Sequence, residues 1–226
     1  MNSYQLSPST FDFLLSLQQN NNRDWFQAHK AQYEAVYEPF KQFAQIVFEE
    51  VSRHDNLEEL KVFRIYRDVR FSKDKSPYKN YFSAGMSRAT KWLRGGYYFH
   101  IEPGQSFAGG GFWAPNAPDL LRIRQEIASD DQPLRAIIND PVFVQTFGAV
   151  EGEAVKSAPK GFVKDHPAID LIRKKQFLAT RAFSDQEVTS EYFLAELVQT
   201  LQNLRPFFDY MSEVLTTDTN GIPLED

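Results

Sequence analysis

The spacing of the apolar residues changes near residue 61, and that change constrains the fold more than any other feature of the chain. Before it, Phe11, Leu14, Leu15 and Leu17, then Trp25, Phe26, His29, Tyr33 and Tyr37, then Phe40, Phe43, Ile46, Val47 and Val51 recur at helical intervals. Ser9 or Thr10 is placed to cap the first helix. Asn22 can cap a second, with Asp24 in its first turn, and Pro39 suits the first turn of a third. From residue 61 to 71 the pattern alternates. Phe63, Ile65, Val69 and Phe71 share one face, and Arg64, Tyr66, Asp68 and Arg70 the other. Arg67 falls on the apolar face by this count, which a bulge or bend would accommodate.

Further strands are expected over residues 78–87, 96–102 and 106–113, the last two joined by a turn at Pro103-Gly104. Helix returns over residues 116–147, opened by Asn116 or Pro118, with a second short helix near Pro133. Residues 153–183 read as a short strand, a loop, a helix over 167–175 and a strand over 177–183. Ser184 and Glu187 have capping-box spacing, so one long helix is expected over 185–215. The pattern implies a single α+β domain over residues 1–226. Its antiparallel sheet takes about residues 61–113 plus a strand near 177–183, packed by N-terminal and C-terminal helices, with 216–226 a frayed tail.

Composition removes several classes of function. The chain has 226 residues, 42% of them hydrophobic, enough for a core without covalent staples. It has no cysteine, which excludes disulfides, thiolate metal sites and cysteine nucleophiles and fits a reducing compartment. The first residues have neither a basic stretch nor an apolar one, and no apolar run approaches the length of a membrane span. A soluble, cytoplasmic protein with no membrane partner is expected.

The net charge of −5 conceals an asymmetry. Between Lys61 and Arg94 stand ten basic residues and only two acids, Asp68 and Asp74, while the rest of the chain is strongly acidic. A positive island in an acidic protein points to an anion site with a focused field. Arg64, Arg67, Arg70, Lys73, Lys75 and Lys79 are the candidate ligand-binding residues, with Ser72 and Ser76 as further donors. Arginine grips carboxylate or phosphate oxygens in pairs. The same arginines could instead pair with acids of the helices and tie the sheet down.

A second cluster lies on the strand over 96–102, where Tyr98, His100 and Glu102 share a face. His100 and Glu102 could act as a base and its orienting partner, Tyr98 could bind the ligand by donating a hydrogen bond, and Asp68 is a third acid–base candidate. As metal ligands they lack a third member, so no metal site is assigned and no cofactor is implied. Gly109-Gly110-Gly111 permits close approach of a ligand or another backbone, or marks a bulged strand. His166, ahead of Pro167, could reach a neighbouring site, with Asp165 capping the helix that follows.

The chain resembles the domain of unknown function 2461 family of bacteria and fungi. The likeness rests on Asn22-Arg-Asp-Trp-Phe26 with Lys30 and Tyr33, and on Phe63-Arg64 with Arg67-Asp-Val-Arg-Phe-Ser-Lys-Asp-Lys-Ser-Pro-Tyr-Lys79. It continues through Gly96-Tyr-Tyr-Phe-His-Ile-Glu-Pro-Gly104, Gly109-Gly-Gly-Phe-Trp-Ala-Pro115, Pro159-Lys-Gly161 and Asp165-His-Pro167. The resemblance implies a shared fold and transfers no catalytic role. The reading that follows is a small phosphate- or carboxylate-bearing ligand held on a basic sheet face. Were the protein an enzyme, Asp68, His100 or Glu102 would do its acid–base work. Two rivals stand beside it: nucleic-acid binding through the same island, with Tyr78, Tyr81 or Trp92 as stacking platforms, and a non-catalytic scaffold.

Overall fold

A computed structural model describes residues 4–70, 73–218 and 221–224. In chain order the elements are α1 (Pro8–Gln19), α2 (Arg23–Ala28), α3 (Lys30–Ser52), β1 (Leu57–Val62), β2 (Phe82–Arg88), β3 (Gly96–Ile101), β4 (Ser106–Phe112), α4 (Ala117–Ser129), α5 (Gln132–Ile138), α6 (Pro141–Phe147), α7 (Ile169–Ile172), β5 (Phe177–Phe183), α8 (Asp185–Val188), α9 (Phe193–Gln202) and α10 (Arg205–Thr216). The strands form one antiparallel sheet in the order β1-β2-β3-β4-β5, so each strand pairs with its neighbour in sequence, and the class is α+β.

The chain groups into two compact units. The first takes the residues up to Met86, then 98–108 and 182–199. Its core lies where α3 meets the sheet: Phe40 packs on Phe82 and Phe99, and Phe43 stacks on Phe193. Leu14, Leu17, Phe40, Phe43 and Val47 are fully buried. Each such side chain contributes about 1.5–3 kcal/mol on leaving water. Asn22 caps α2 by accepting from the Trp25 N–H, with Asp24 in the first turn, as its spacing predicts. Ser7, rather than Ser9 or Thr10, caps α1. Pro39 does not start a helix; it lies inside α3. The carbonyl its missing N–H leaves unbonded is that of Ala35, on the exposed side, where water can satisfy it.

The second unit takes residues 87–97, 109–181 and those from Thr200 on. Phe207 and Phe208 of α10 pack against Phe112, Phe143 and Tyr97. The Arg88 side chain is fully buried there. It donates to Asp209 (2.6 Å), to Ser212 Oγ (3.1 Å) and to the Arg94 carbonyl (3.2 Å). Arg94 pairs in turn with Asp119. Two members of the basic island are thus internal ties. The glycines of β4 serve backbone packing: a Cβ on Gly109 would stand 2.1 Å from the Ala179 carbonyl oxygen of β5, and one on Gly110 would stand 2.4 Å from that of Gly96.

Several expected elements differ, among them the strand expected over 78–87, which begins only at Phe82 as β2. The first strand runs over β1, not 61–71, and its Phe71 falls outside the described residues. Beyond Val62 the regular ladder is interrupted, yet backbone pairing continues to Arg67; there the side chains of Asp68 and Asp74 accept from the backbone N–H of Arg70 and Ser76, and these Asx turns end the extended segment. The expected C-terminal helix is three helices. Ser184 and Glu187 do form the capping box. Thr189 and Ser190 then bond back to the Asp185 and Glu187 carbonyls and end α8, and Pro206 restarts the chain as α10. Residues 151–154 carry only isolated bridges to Leu178 and Lys174, and the helix over 167–175 shrinks to α7. Asp165 does not cap it; the Ala168 N–H is bonded by His166 Nδ1 instead. Near the C-terminus the Asp218 and Leu224 N–H groups bond the Ile222 and Thr216 carbonyls.

Candidate functional site

Past β1 the backbone stays extended and pairs with the segment leading into β2. The Arg67 N–H bonds the Pro77 carbonyl, the Lys79 N–H that of Ile65, and the Phe63 N–H that of Ser83. Asn80, Tyr81 and Phe82 therefore stand opposite Arg64 alone. This is a bulge, placed on the partner segment rather than near Arg67. Asn21 clamps the segment from the helices, donating to the Tyr78 carbonyl (2.9 Å) and accepting its N–H (3.1 Å), while Phe26 stacks on the Tyr78 ring at 4.0 Å. Of the N-terminal aromatics, Phe26 is thereby core, and Trp25 stacks on His29.

The bulge sends Phe82 inward to Phe40 and leaves Tyr81 and Ser83 on the opposite face of the sheet. Tyr98, His100 and Phe107 reach that face from β3 and β4. The His100 ring lies between Tyr81 (centroids 4.1 Å apart) and Phe107 (4.9 Å). Lys79 Nζ sits over both the Tyr81 ring (5.7 Å) and the Phe63 ring (5.5 Å). A polar chain crosses the same ground. Tyr98 Oη is 3.1 Å from His100 Nδ1, and His100 Nε2 is 2.7 Å from Glu102 Oε2. Asn80 Nδ2 donates to Glu102 Oε1 at 2.6 Å, and the Glu102 N–H bonds Ser106 Oγ. His100 is 7% exposed, whereas Tyr98, Tyr81, Lys79, Asn80 and Glu102 are half-buried.

Burial sets the electrostatics of this face. It pushes the Lys79 ammonium below its usual range, with Arg64 and Arg67 adding repulsion. It lowers the His100 imidazole despite the neighbouring Glu102, and raises the Tyr98 phenol against a hydrogen bond from Ser83. The site thus carries a half-desolvated cation beside a neutral imidazole and a protonated phenol. Arg67 Nη1 lies 3.2 Å from Asp74, while Arg67 Nε is buried without a partner among the described residues.

The structure brings together Arg67, Lys79, Tyr98, His100 and Glu102, with exposed Arg64 near enough to repel Lys79. It separates the others. Arg70 forms a two-point pair with Asp68 (3.0 and 2.6 Å) that holds the carboxyl at about 2. Lys75 donates to the Val69 carbonyl, Ser76 is bonded to Asp74, and Lys73 is exposed. Ser72 lies outside the described residues. The expected face of Arg64, Asp68 and Arg70 on one strand is absent, because the bulge opposite Arg64 breaks the register and the Asx turn at Asp68 ends the pairing after Arg67. His166 belongs to the second unit, where it bonds the Ala128 carbonyl and the Ala168 N–H. Asn80, Tyr81, Ser83 and Phe107 were not singled out for this site from sequence. The alternation that yields Tyr98 and His100 would also have yielded Tyr81 and Ser83, but Asn80 reaches Glu102 only through the bulge.

Two surface grooves lie elsewhere. One of about 420 Å³ is lined by Ile137, Asp140, Val142 and Phe143, the other of about 300 Å³ by Asp12, Phe13 and Val36. The charged lining residue in each is an aspartate, the wrong sign for an anion. Among the described residues no group of three His, Cys, Asp or Glu side chains could hold a metal ion, and no helix is long and apolar enough to cross a membrane.

A family model described as conserved hypothetical protein (DUF2461) matches residues 9–210 of the 226. No curated protein and no solved structure matches the chain.

Proposed function

The chain belongs to the DUF2461 family, and within that family we propose that it binds a small phosphate- or carboxylate-bearing ligand on the sheet face around Lys79. The observation that carries the reading is the state of Lys79. Its ammonium is half-buried over two rings and repelled by Arg64 and Arg67, and no carboxylate among the described residues pairs with it. Such a cation gains from an incoming anion. At an effective dielectric of ~20, unit charges 4 Å apart attract by about 4 kcal/mol. Arg67, through its unpartnered Nε, and Arg64 supply the remaining positive field. Tyr98, His100 and Glu102 stand beside the anion as its acid–base neighbours. Arg70, Lys73 and Lys75 play a lesser part, since Arg70 and Lys75 are engaged within their own loop.

Thermal unfolding with inorganic phosphate, pyrophosphate and dicarboxylates tests this. A ligand at a hundred times its dissociation constant stabilises by about 2.7 kcal/mol. For a chain of this size that raises Tm by roughly 5–10 °C. The shift is expected to vanish in Lys79→Met and persist in Arg70→Ala. A shift that survives Lys79→Met, or none with any anion, overturns the reading.

A further inference from the structure

We propose that Tyr98 is a nucleophile: its proton passes to His100, which Glu102 and Asn80 hold in the tautomer that can accept it. The proposal rests on the anion reading above for the class of substrate and on independent geometry for the chemistry.

The geometry is directional. An ionised carboxylate only accepts hydrogen bonds. With Glu102 Oε2 at 2.7 Å from His100 Nε2, the neutral ring carries its proton on Nε2 and leaves Nδ1 bare. The group facing Nδ1 is Tyr98 Oη at 3.1 Å, so the phenol donates. Glu102 cannot turn away, because Asn80 grips its other oxygen and Ser106 its backbone N–H. The imidazole is confined between the Tyr81 and Phe107 rings. A hydroxyl bonded to an imidazole that a carboxylate orients is the logic of the nucleophilic triads, here with a phenol in place of an alcohol. Burial holds the phenol protonated and the imidazole neutral at neutral pH, so the proton leaves as attack proceeds and the acceptor is ready for it.

The substrate class is an ester or anhydride that also bears a phosphate or carboxylate. Its anionic group sits on Lys79 and its electrophilic centre faces Tyr98. In the step, the Tyr98 Oη bond to that centre forms and the leaving-group bond breaks, its electron pair departing with the leaving group. The phenolic proton moves to His100 Nδ1, and the resulting imidazolium faces Glu102.

Two electrophiles test this on the folded chain: 4-(fluorosulfonyl)benzoate, which carries an anion, and benzenesulfonyl fluoride, which does not. Attack by Tyr98 forms the sulfonate ester and expels fluoride. Labelling is mapped by peptide mass spectrometry. Tyr98 is expected to react ahead of the other tyrosines. His100→Gln is expected to slow both probes by about a hundredfold or more, the low end of what a positioned base supplies. Lys79→Met is expected to remove only the advantage of the anionic probe. No labelling of Tyr98, or equal labelling in His100→Gln, overturns the nucleophile. Equal rates for the two probes with Tyr98 labelled overturn the anion reading and leave the nucleophile standing.

Folding of each variant is checked by circular dichroism. Nitrogen NMR of His100 in the unaltered protein gives a readout that packing alone would not move. A proton on Nε2 with a bare Nδ1 is expected, and a proton on Nδ1 overturns the proposal. The labelling rate is also expected to fall in acid as His100 protonates, a limb that His100→Gln lacks. The titratable groups facing His100 are Glu102, Tyr98, Tyr81 and Lys79.

Discussion

Side chains of similar charge end in different situations here because their partners differ. Arg70 and Lys79 count equally in the basic island, yet Arg70 is bonded twice by Asp68 whereas Lys79 lies over rings. Charge counting located the island; it could not assign the pairs, since Asp68 and Asp74 look like its deficit and are its local ties. Burial at His100 also has a measurable sign. Its folded pKa lies below the ordinary value near 6.5, so as pH falls the unfolded chain binds the proton first. The contribution of the neutral, buried imidazole is whole above that ordinary value and is lost as pH drops toward the folded one. Urea unfolding between about pH 7 and 5 is expected to show falling stability, and His100→Gln a shallower slope. An unchanged slope in the variant would assign the loss to other groups.

At the scale of elements, the regular pieces were legible and the interruptions were not. β5 and the pair β3–β4 come within a residue or so of their expected bounds, because alternation and the Pro103-Gly104 turn are local signals. The bulge at Asn80–Phe82 is a shift in backbone pairing that interrupts the ladder after Val62, and the Asx turns at Asp68 and Asp74 end the extended segment; periodicity registers neither. Half of the candidate site was therefore legible: Tyr98, His100 and Glu102 on one strand face. The other half required knowing where Lys79 lands. The glycines of β4 make a sharper case, for their sequence allowed a ligand contact and the structure shows backbone against backbone. Gly109→Ala is expected to cost about 3 kcal/mol, since the Ala179 carbonyl cannot yield as a side chain would. Gly104→Ala, with a φ of +70° but open surroundings, is expected to cost about 1 kcal/mol. Urea midpoints of the two variants compare them directly, and equal losses would contradict the overlap at Gly109.

Over the whole molecule, neither compact unit is a continuous stretch of chain. The first needs residues 98–108 and 182–199 to complete what the residues up to Met86 begin. A chain of residues 1–86 holds α1, α2, α3 and β1 but lacks Phe99 and Phe193, against which Phe40 and Phe43 pack. It is expected to give a poorly dispersed amide NMR spectrum, and a dispersed one would show that those helices fold without the later strands. The same interleaving governs the protein at birth. When Met86 leaves the ribosome, more than a hundred residues remain before Gln199 follows. At ~5–20 residues per second, the wait is on the order of ten seconds. Through most of that interval Phe43 of α3 stands without Phe193, the ring it stacks on. Nascent chains of this protein would therefore be clients of holding chaperones until synthesis has passed the residues of α9.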